Sequence, residues 1–157
     1  MRSAPAVLVV AAASVLFLSG CAPTPSVDLA AAQEWIDSIS ASESDGPGAA
    51  GTAAAEIGPE DTGATVVRLD FPEATVLSRL DLRCYGDAED DITARISVTM
   101  QTAAGDTIPL EQEIPCDRDA HEVELDPSPV DSLAVEGTAS AQTYMHATVI
   151  QQLVVER

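Results

Sequence analysis

The chain contains no lysine and no asparagine, and aromatic residues make up only 3% of its 157 residues. Without lysine, neither Schiff-base catalysis nor the phosphate-binding lysine of a P-loop is available. Positive charge is also scarce, because seven arginines face 26 acidic residues and the formal net charge is −19. A surface this acidic is unsuited to nucleic acid or to electrostatic adhesion to anionic lipid. The composition therefore predicts no nucleic-acid partner.

The N-terminus has the layout of an export signal. Residues 1–20 carry one cation, Arg2, and no acid, and most of them form an apolar run that ends in small residues. This order is typical of a secretory signal peptide, and the run is marginal for a membrane span, which needs roughly 20 apolar residues.

The segment Leu18-Ser19-Gly20-Cys21 resembles the lipobox of bacterial lipoproteins. Ser19 and Gly20 are small enough for a peptidase cleft, and Cys21 supplies a thiol to carry diacylglycerol. The resemblance implies a lipoprotein signal peptide over 1–20, lipidation at Cys21 with acyl chains such as palmitate, and a lipid anchor on the extracytoplasmic face of the cell membrane. Two acyl chains give stable anchoring where one is marginal. The alternative is an ordinary signal peptide or anchor helix with an incidental cysteine.

Two cysteines are left once Cys21 is set aside. Cys84 and Cys116 would reside in an oxidising compartment, so we predict that they form a disulfide. Two free buried thiols are the alternative, and a metal pair is disfavoured because no further ligands sit at zinc-site spacing.

Residues 21–64 are predicted to be a lipidated tether. Apolar residues at three- and four-residue steps predict an amphipathic helix over 28–40, with Ser26 as N-cap and Asp28 in the first turn. Its polar face carries no cation, which is wrong for an interfacial helix, so we favour docking on the domain, or a helix that frays. Residues 41–64 are rich in Ala, Gly and acids, and they predict a flexible, disordered linker. The N-terminal part therefore reads as a stalk.

From residue 65 the apolar period changes to two. The clearest run alternates from Ile92 to Met100, and turn signals such as Phe71-Pro72 and Gly105-Asp106 separate similar runs. About seven short strands with no segment of helical period predict an all-β antiparallel sandwich over 65–157, wired as an immunoglobulin-like or jelly-roll fold. A flat meander would hold Cys84 and Cys116 too far apart for a disulfide. Either the chain crosses between sheets or the strand ends curl together.

Catalytic motifs are absent from the sequence, so we predict that the protein is not an enzyme. The two histidines are His121, expected to be a half-buried, hydrogen-bonded strand residue, and His146. Nothing points to a serine partner for either, and a hydrolase with an unmarked site stays as an alternative. The outward-facing Arg68, Arg79, Arg83 and Arg95 are expected to form cross-strand ion pairs rather than a recognition face.

Two acidic loops, 86–91 and 117–119, are expected to share one end of the sandwich, because two successive chain reversals make the strands that enter them run in the same direction. The disulfide would hold the two loops close together. Several carboxylates in adjacent loops suit Ca²⁺, although Arg118 sits among them and the spacing is not that of an EF-hand. The candidate ligands are Asp87, Glu89, Asp90, Asp91, Asp117 and Asp119. Solvated acidic loops are the alternative, in which case no cofactor is expected.

Taken together, the layout is similar to that of small bacterial lipoproteins with a C-terminal, disulfide-bearing β-sandwich. This similarity carries no functional residues across. It favours a membrane-anchored, non-catalytic binding or interaction module outside the cell membrane, with a protein or a small molecule as partner. The alternatives are a Ca²⁺-assisted ligand-binding sandwich and the hydrolase.

Overall fold

The computed structural model describes residues 27–59 and 66–153. The signal peptide, Cys21, Ser26 and residues 60–65 of the chain lie outside them. One helix and seven strands are present in the described part: α1 (Leu29–Glu43), β1 (Ala49–Ile57), β2 (Val67–Cys84), β3 (Thr93–Thr102), β4 (Thr107–Pro115), β5 (His121–Glu124), β6 (Pro129–Ala139) and β7 (Thr143–Gln151). No helix among these residues is long and apolar enough to cross a membrane.

Helix α1 starts and ends later than the sequence predicted. Its N-cap is Asp28, which has an extended backbone, and one carboxylate oxygen of Asp28 accepts hydrogen bonds from the amides of Ala30 and Ala31 at 3.0 and 3.1 Å. Asp28 therefore takes the capping role predicted for Ser26, because its side chain reaches two amides that the helix leaves unpaired. Ala32 and Ile36 are buried against the domain, which confirms that the helix docks on the sandwich.

The predicted flexible linker over 41–64 is wrong in its central part, where β1 forms an edge strand paired with β7. Ala53, Ala55 and Ile57 alternate inward and are buried in the core. This segment has few large apolar side chains, which is why the sequence predicts a linker. Its small side chains pack closely, however, and its backbone hydrogen bonds to β7 help to offset the conformational entropy that is lost when the segment becomes ordered. The folded body therefore includes residues 27–59 as well as the predicted domain, and the stalk interpretation fails for these residues.

Strand β2 joins two segments that the sequence separated by a turn. Phe71-Pro72 lies inside it, at a register shift between Asp70 and Thr75 in the pairing with β6. Proline has no amide hydrogen to donate, so it is tolerated at such an irregularity. The total of seven strands agrees with the prediction, because two expected strands merge into β2 while β1 is added in the predicted linker.

The strands form an antiparallel β-sandwich in which β2 belongs to both layers. Sheet A has the order β1-β7-β2-β5 and sheet B the order β2-β6-β3-β4. The first half of β2 pairs with β6, and the second half pairs with β7 and β5. In this topology the chain forms a long antiparallel ribbon, with the pairs β1–β7, β2–β6, β2–β5 and β3–β4. The ribbon is rolled up, and the rolling adds the pairs β7–β2 and β6–β3. Of the two predicted wirings it is the jelly roll.

The core lies between the two sheets and consists of aliphatic side chains that alternate inward. Its largest fully buried members include Ile57, Leu77, Leu80, Leu82, Ile96, Val98, Leu133 and Val135. Helix α1 adds a third layer on the outer face of sheet A, so β7 is buried on both faces. The outer face of sheet B stays exposed and polar.

Candidate functional site

One end of the sandwich is closed by the disulfide that the sequence predicted. Cys84 ends β2 in sheet A, Cys116 follows β4 in sheet B, and their Cα atoms are 4.4 Å apart. Both residues are buried. Of the two geometries considered, the chain crosses between sheets, and the bond ties the two layers together.

The two acidic loops meet at this same disulfide end, as predicted. Arg118, between the two aspartates of the second loop, has a positive φ of 70°. Its amide donates to the carbonyl of Cys84 at 3.0 Å, and its Nε donates to the carbonyl of Gly86 at 3.0 Å. Its guanidinium also pairs with the carboxylate of Asp87. Arg118 therefore crosslinks the two loops next to the disulfide.

The predicted calcium ligands are not drawn together by these loops. Asp87 is paired with Arg118, and Asp117 accepts a hydrogen bond from Nε2 of His121 at 3.0 Å. Burial alone would raise the pKa of Asp117, but hydrogen bonds from His121 and the Asp119 amide outweigh it and lower the pKa. The remaining candidates are exposed: Glu89, Asp90, Asp91 and Asp119. In residues 27–59 and 66–153, no three potential ligands are placed to hold one metal ion. Calcium binding stays a prediction.

An aromatic contact joins the helix to the disulfide end. The rings of Trp35 and Tyr85 have centroids 5.5 Å apart at 58°, and the Arg118 guanidinium lies 4.8 Å from the Tyr85 centroid. Tilted aromatic pairs and cation–π contacts each contribute roughly 0.5–1 kcal/mol beyond burial. Tyr85 is therefore part of the attachment of α1.

Beneath α1 lies a buried polar cluster that the sequence did not reveal. His146 is fully buried on the outer face of β7, and neither ring nitrogen has a hydrogen-bond partner among the described residues. Arg83 lies opposite it on β2 and forms an ion pair with Glu43 at 3.1 Å, while Thr148 donates to Glu43 at 3.3 Å. Burial, and secondarily the positive charge of Arg83, lower the pKa of His146 to about 4. The imidazole is therefore neutral at physiological pH.

All four arginines that were expected to face outward form ion pairs, but only two of them form the expected cross-strand pairs. Arg95 reaches Glu113 across β3 and β4 at 3.4 Å, and Arg79 reaches Glu122 on β5 at 3.4 Å. Arg68 instead pairs within its own strand, with Asp70, and Arg83 pairs with the helix. His121 is half-buried and hydrogen-bonded, as predicted. These side chains are occupied with one another rather than facing a ligand.

The opposite end of the sandwich contains a cavity of about 280 Å³. Sheet B ends at β4 and sheet A ends at β5, and the cavity lies between these two edge strands. Its inner wall is formed by the buried Leu77, Met100 and Val130, and the half-buried apolar side chains around it are Ile108, Leu110 and Leu125. Glu124 and Asp126 also line it and are exposed, so they mark the mouth. Neither histidine lines this cavity.

A second, more open depression on sheet B has a volume of about 160 Å³. It is lined by Thr93, Arg95, Glu113, Thr138, Ala139 and Ser140. Arg95 and Glu113 pair across it, so little apolar surface is available there. The cavity between β4 and β5 is the better candidate for a ligand, because ligand pockets are mostly apolar with a few polar groups.

Comparisons with known proteins add little to this geometry. No protein-family model matches the chain, and no curated protein matches it. Among solved structures, it is similar to the crystal structure of the infectious bursal disease virus VP2 subviral particle, at 12% identity and a TM-score of 0.33. The match covers 64% of this chain and 30% of the viral one, so the chain spans less than a third of that protein. A likeness this weak carries no argument.

Proposed function

We propose that this chain is a lipid-anchored binding module without catalytic activity, displayed on the extracytoplasmic face of the cell membrane. The observation that carries the proposal is the buried Cys84–Cys116 disulfide between the two sheets. Structural disulfides persist in oxidising compartments and are rare in the cytosol. The bond therefore agrees with the export signal and with the lipobox-like Leu18-Ser19-Gly20-Cys21.

A binding role is supported by the cavity between β4 and β5. It is the kind of concave, mostly apolar site that takes a small molecule. A catalytic role has no comparable support. His146 is sealed under α1, and His121 is hydrogen-bonded to Asp117 rather than to a nucleophile.

The docked helix determines how far the domain can stand from the bilayer. The chain has only residues 22–26 between the proposed anchor, Cys21, and Val27, the first described residue, which packs against the core. Fully extended, that stretch spans at most about 22 Å. The proposed module therefore lies next to the membrane, and its partner must reach it there.

The proposal is tested in a bacterium that makes the full chain, by metabolic labelling with palmitate and by fractionation. We expect label in the wild-type protein and none in Cys21→Ser. Protein from the membrane fraction should migrate differently on non-reducing and reducing gels, which reports the disulfide. Protease added to spheroplasts should digest the wild-type protein.

Two outcomes would contradict this function. One is an unlabelled wild-type protein that retains its leader. The other is a protein with reduced Cys84 and Cys116 that spheroplasts protect from protease. A Cys84→Ala/Cys116→Ala variant is the matched control, because it removes two cysteines and leaves Cys21 to be labelled.

A further inference from the structure

We propose that the cavity between β4 and β5 binds a small amphiphilic cation: a protonated amine that carries a short apolar body. This inference deepens the proposed binding role and rests on it. It names the chemistry of the ligand, which the fold and the export signal leave open.

The size and lining of the cavity fit a short apolar body. An apolar cavity of about 150 Å³ accommodates benzene, so the 280 Å³ present here takes a somewhat larger group. Leu77, Met100 and Val130 provide a buried apolar wall on one side. Ile108, Leu110 and Leu125 are only half-buried, so a ligand would cover apolar surface that is now partly wet, at roughly 25 cal/mol per Å².

The charge at the mouth selects the head group. Glu124 and Asp126 line the cavity together with Ser128, and no arginine is among its lining residues. Arg79, the cation across from Glu124 on β2, forms ion pairs with Asp81 at 2.9 Å and with Glu122 at 3.4 Å, and it also attracts Glu124, whose charge it offsets in part. Two carboxylates beside an apolar wall attract a cation and repel an anion, and the net charge of −19 adds to this field. Fatty-acid carboxylates are therefore disfavoured.

Edge geometry explains why this end can admit a ligand. β4 and β5 are the outer strands of their sheets, and each has a single hydrogen-bonded neighbour, β3 and β2 respectively. No ladder between them closes the sandwich on this side. Pro109, exposed on β4, lines the cavity and has no amide hydrogen to offer a pairing strand, so strand addition is discouraged there.

The test measures saturable binding of three probes that share one chain and differ in charge: hexylammonium, 1-hexanol and hexanoate. The full chain is used in one fixed detergent, and the readouts are ligand-observed NMR and the shift of Tm. We expect hexylammonium to bind most tightly and hexanoate not to bind. The double variant Glu124→Gln/Asp126→Asn should weaken hexylammonium roughly tenfold, the value of about one charge-assisted hydrogen bond.

Two control variants locate the site. Glu111→Gln removes one acid from an exposed position of β4 outside the cavity, and it should change hexylammonium affinity less than twofold. Leu110→Trp fills the cavity and should abolish binding of all three probes. If Leu110→Trp lowers Tm strongly, the carboxamide double variant, which keeps side-chain shape, decides the question alone.

The inference is overturned if hexanoate binds as well as hexylammonium, if no probe saturates, or if Glu124→Gln/Asp126→Asn leaves the affinity unchanged. None of these results bears on palmitate labelling or on the redox state of Cys84 and Cys116. The ligand chemistry and the proposed function therefore fail separately.

Discussion

The two ends of the sandwich are made from the same strands, yet their loops meet in different ways. At the disulfide end, a covalent bond, the Arg118 contacts to Gly86 and Asp87, and the Trp35–Tyr85 pair join both sheets and the helix. At the cavity end, β4 and β5 stay apart, and three aliphatic side chains are only half-covered. Crosslinks that fix both layers at one end let the other end stay open without loss of the fold.

The positions of the glycines illustrate the same contrast. At the disulfide end, Gly86 lies so close to Cys116 that a Cβ there would be 2.9 Å from the Cβ of Cys116. At the cavity end, Gly105 has φ +89° in the β3–β4 turn, and a Cβ there would meet nothing within 4 Å. Gly86 is therefore needed for the close packing of the two loops, whereas Gly105 is needed only for its left-handed backbone conformation.

The largest expected effect comes from removing the disulfide. Cys84→Ala/Cys116→Ala should lower the free energy of unfolding by about 4 kcal/mol, because the bond closes a loop with a sequence separation of 32. Denaturation of the full chain by guanidinium chloride measures this loss. The wild-type protein under reducing agent is the control and should lose a similar amount. A loss below about 1 kcal/mol would show that the disulfide end does not dominate stability.

His146 carries the next largest effect, and it depends on pH. In the folded protein its pKa is lowered to about 4, whereas an unfolded histidine titrates near 6.5. Between these values the unfolded chain binds more protons, so stability falls as the pH falls from about 6.5 to 4. The full loss is roughly 3 kcal/mol at the acid end of that window, and none is expected above pH 7.

His146→Leu should abolish that part of the pH dependence, as measured by denaturation midpoints at several pH values. Thr148→Val is the matched control, because it alters the same covered face and leaves the imidazole in place. We expect the control to keep the wild-type slope. An unchanged slope in His146→Leu would mean that some other group under α1 responds to acid.

The features that the sequence predicted correctly are those with a strong local pattern. Strand β3 shows strict alternation from Ala94 to Met100, and it pairs as expected on both sides. The disulfide followed from counting cysteines in an exported chain. The two loops beside it share one end because the strands that lead into them run in the same direction.

What the sequence did not predict depends on contacts between distant residues. β1 is an alanine-rich segment whose order comes from pairing with β7, nearly a hundred residues later. His146 gives no local sign of burial, because the cover is a helix at the other end of the chain. The cavity has no motif either, since it is the gap between two edge strands that the rolled ribbon leaves unpaired.

The smallest expected effects come from replacing one glycine by alanine at each end of the sandwich, which compares the two ends directly. Gly86→Ala should cost about 2 kcal/mol, since the methyl group must displace the Cys116 backbone. Gly105→Ala should cost about 1 kcal/mol, from backbone strain alone. Denaturation midpoints of the two variants measure the difference. In the Cys84→Ala/Cys116→Ala background the Gly86 cost should fall, because the loops can then separate, while the Gly105 cost should stay the same. Equal costs in both backgrounds would mean that the disulfide does not hold the loops together.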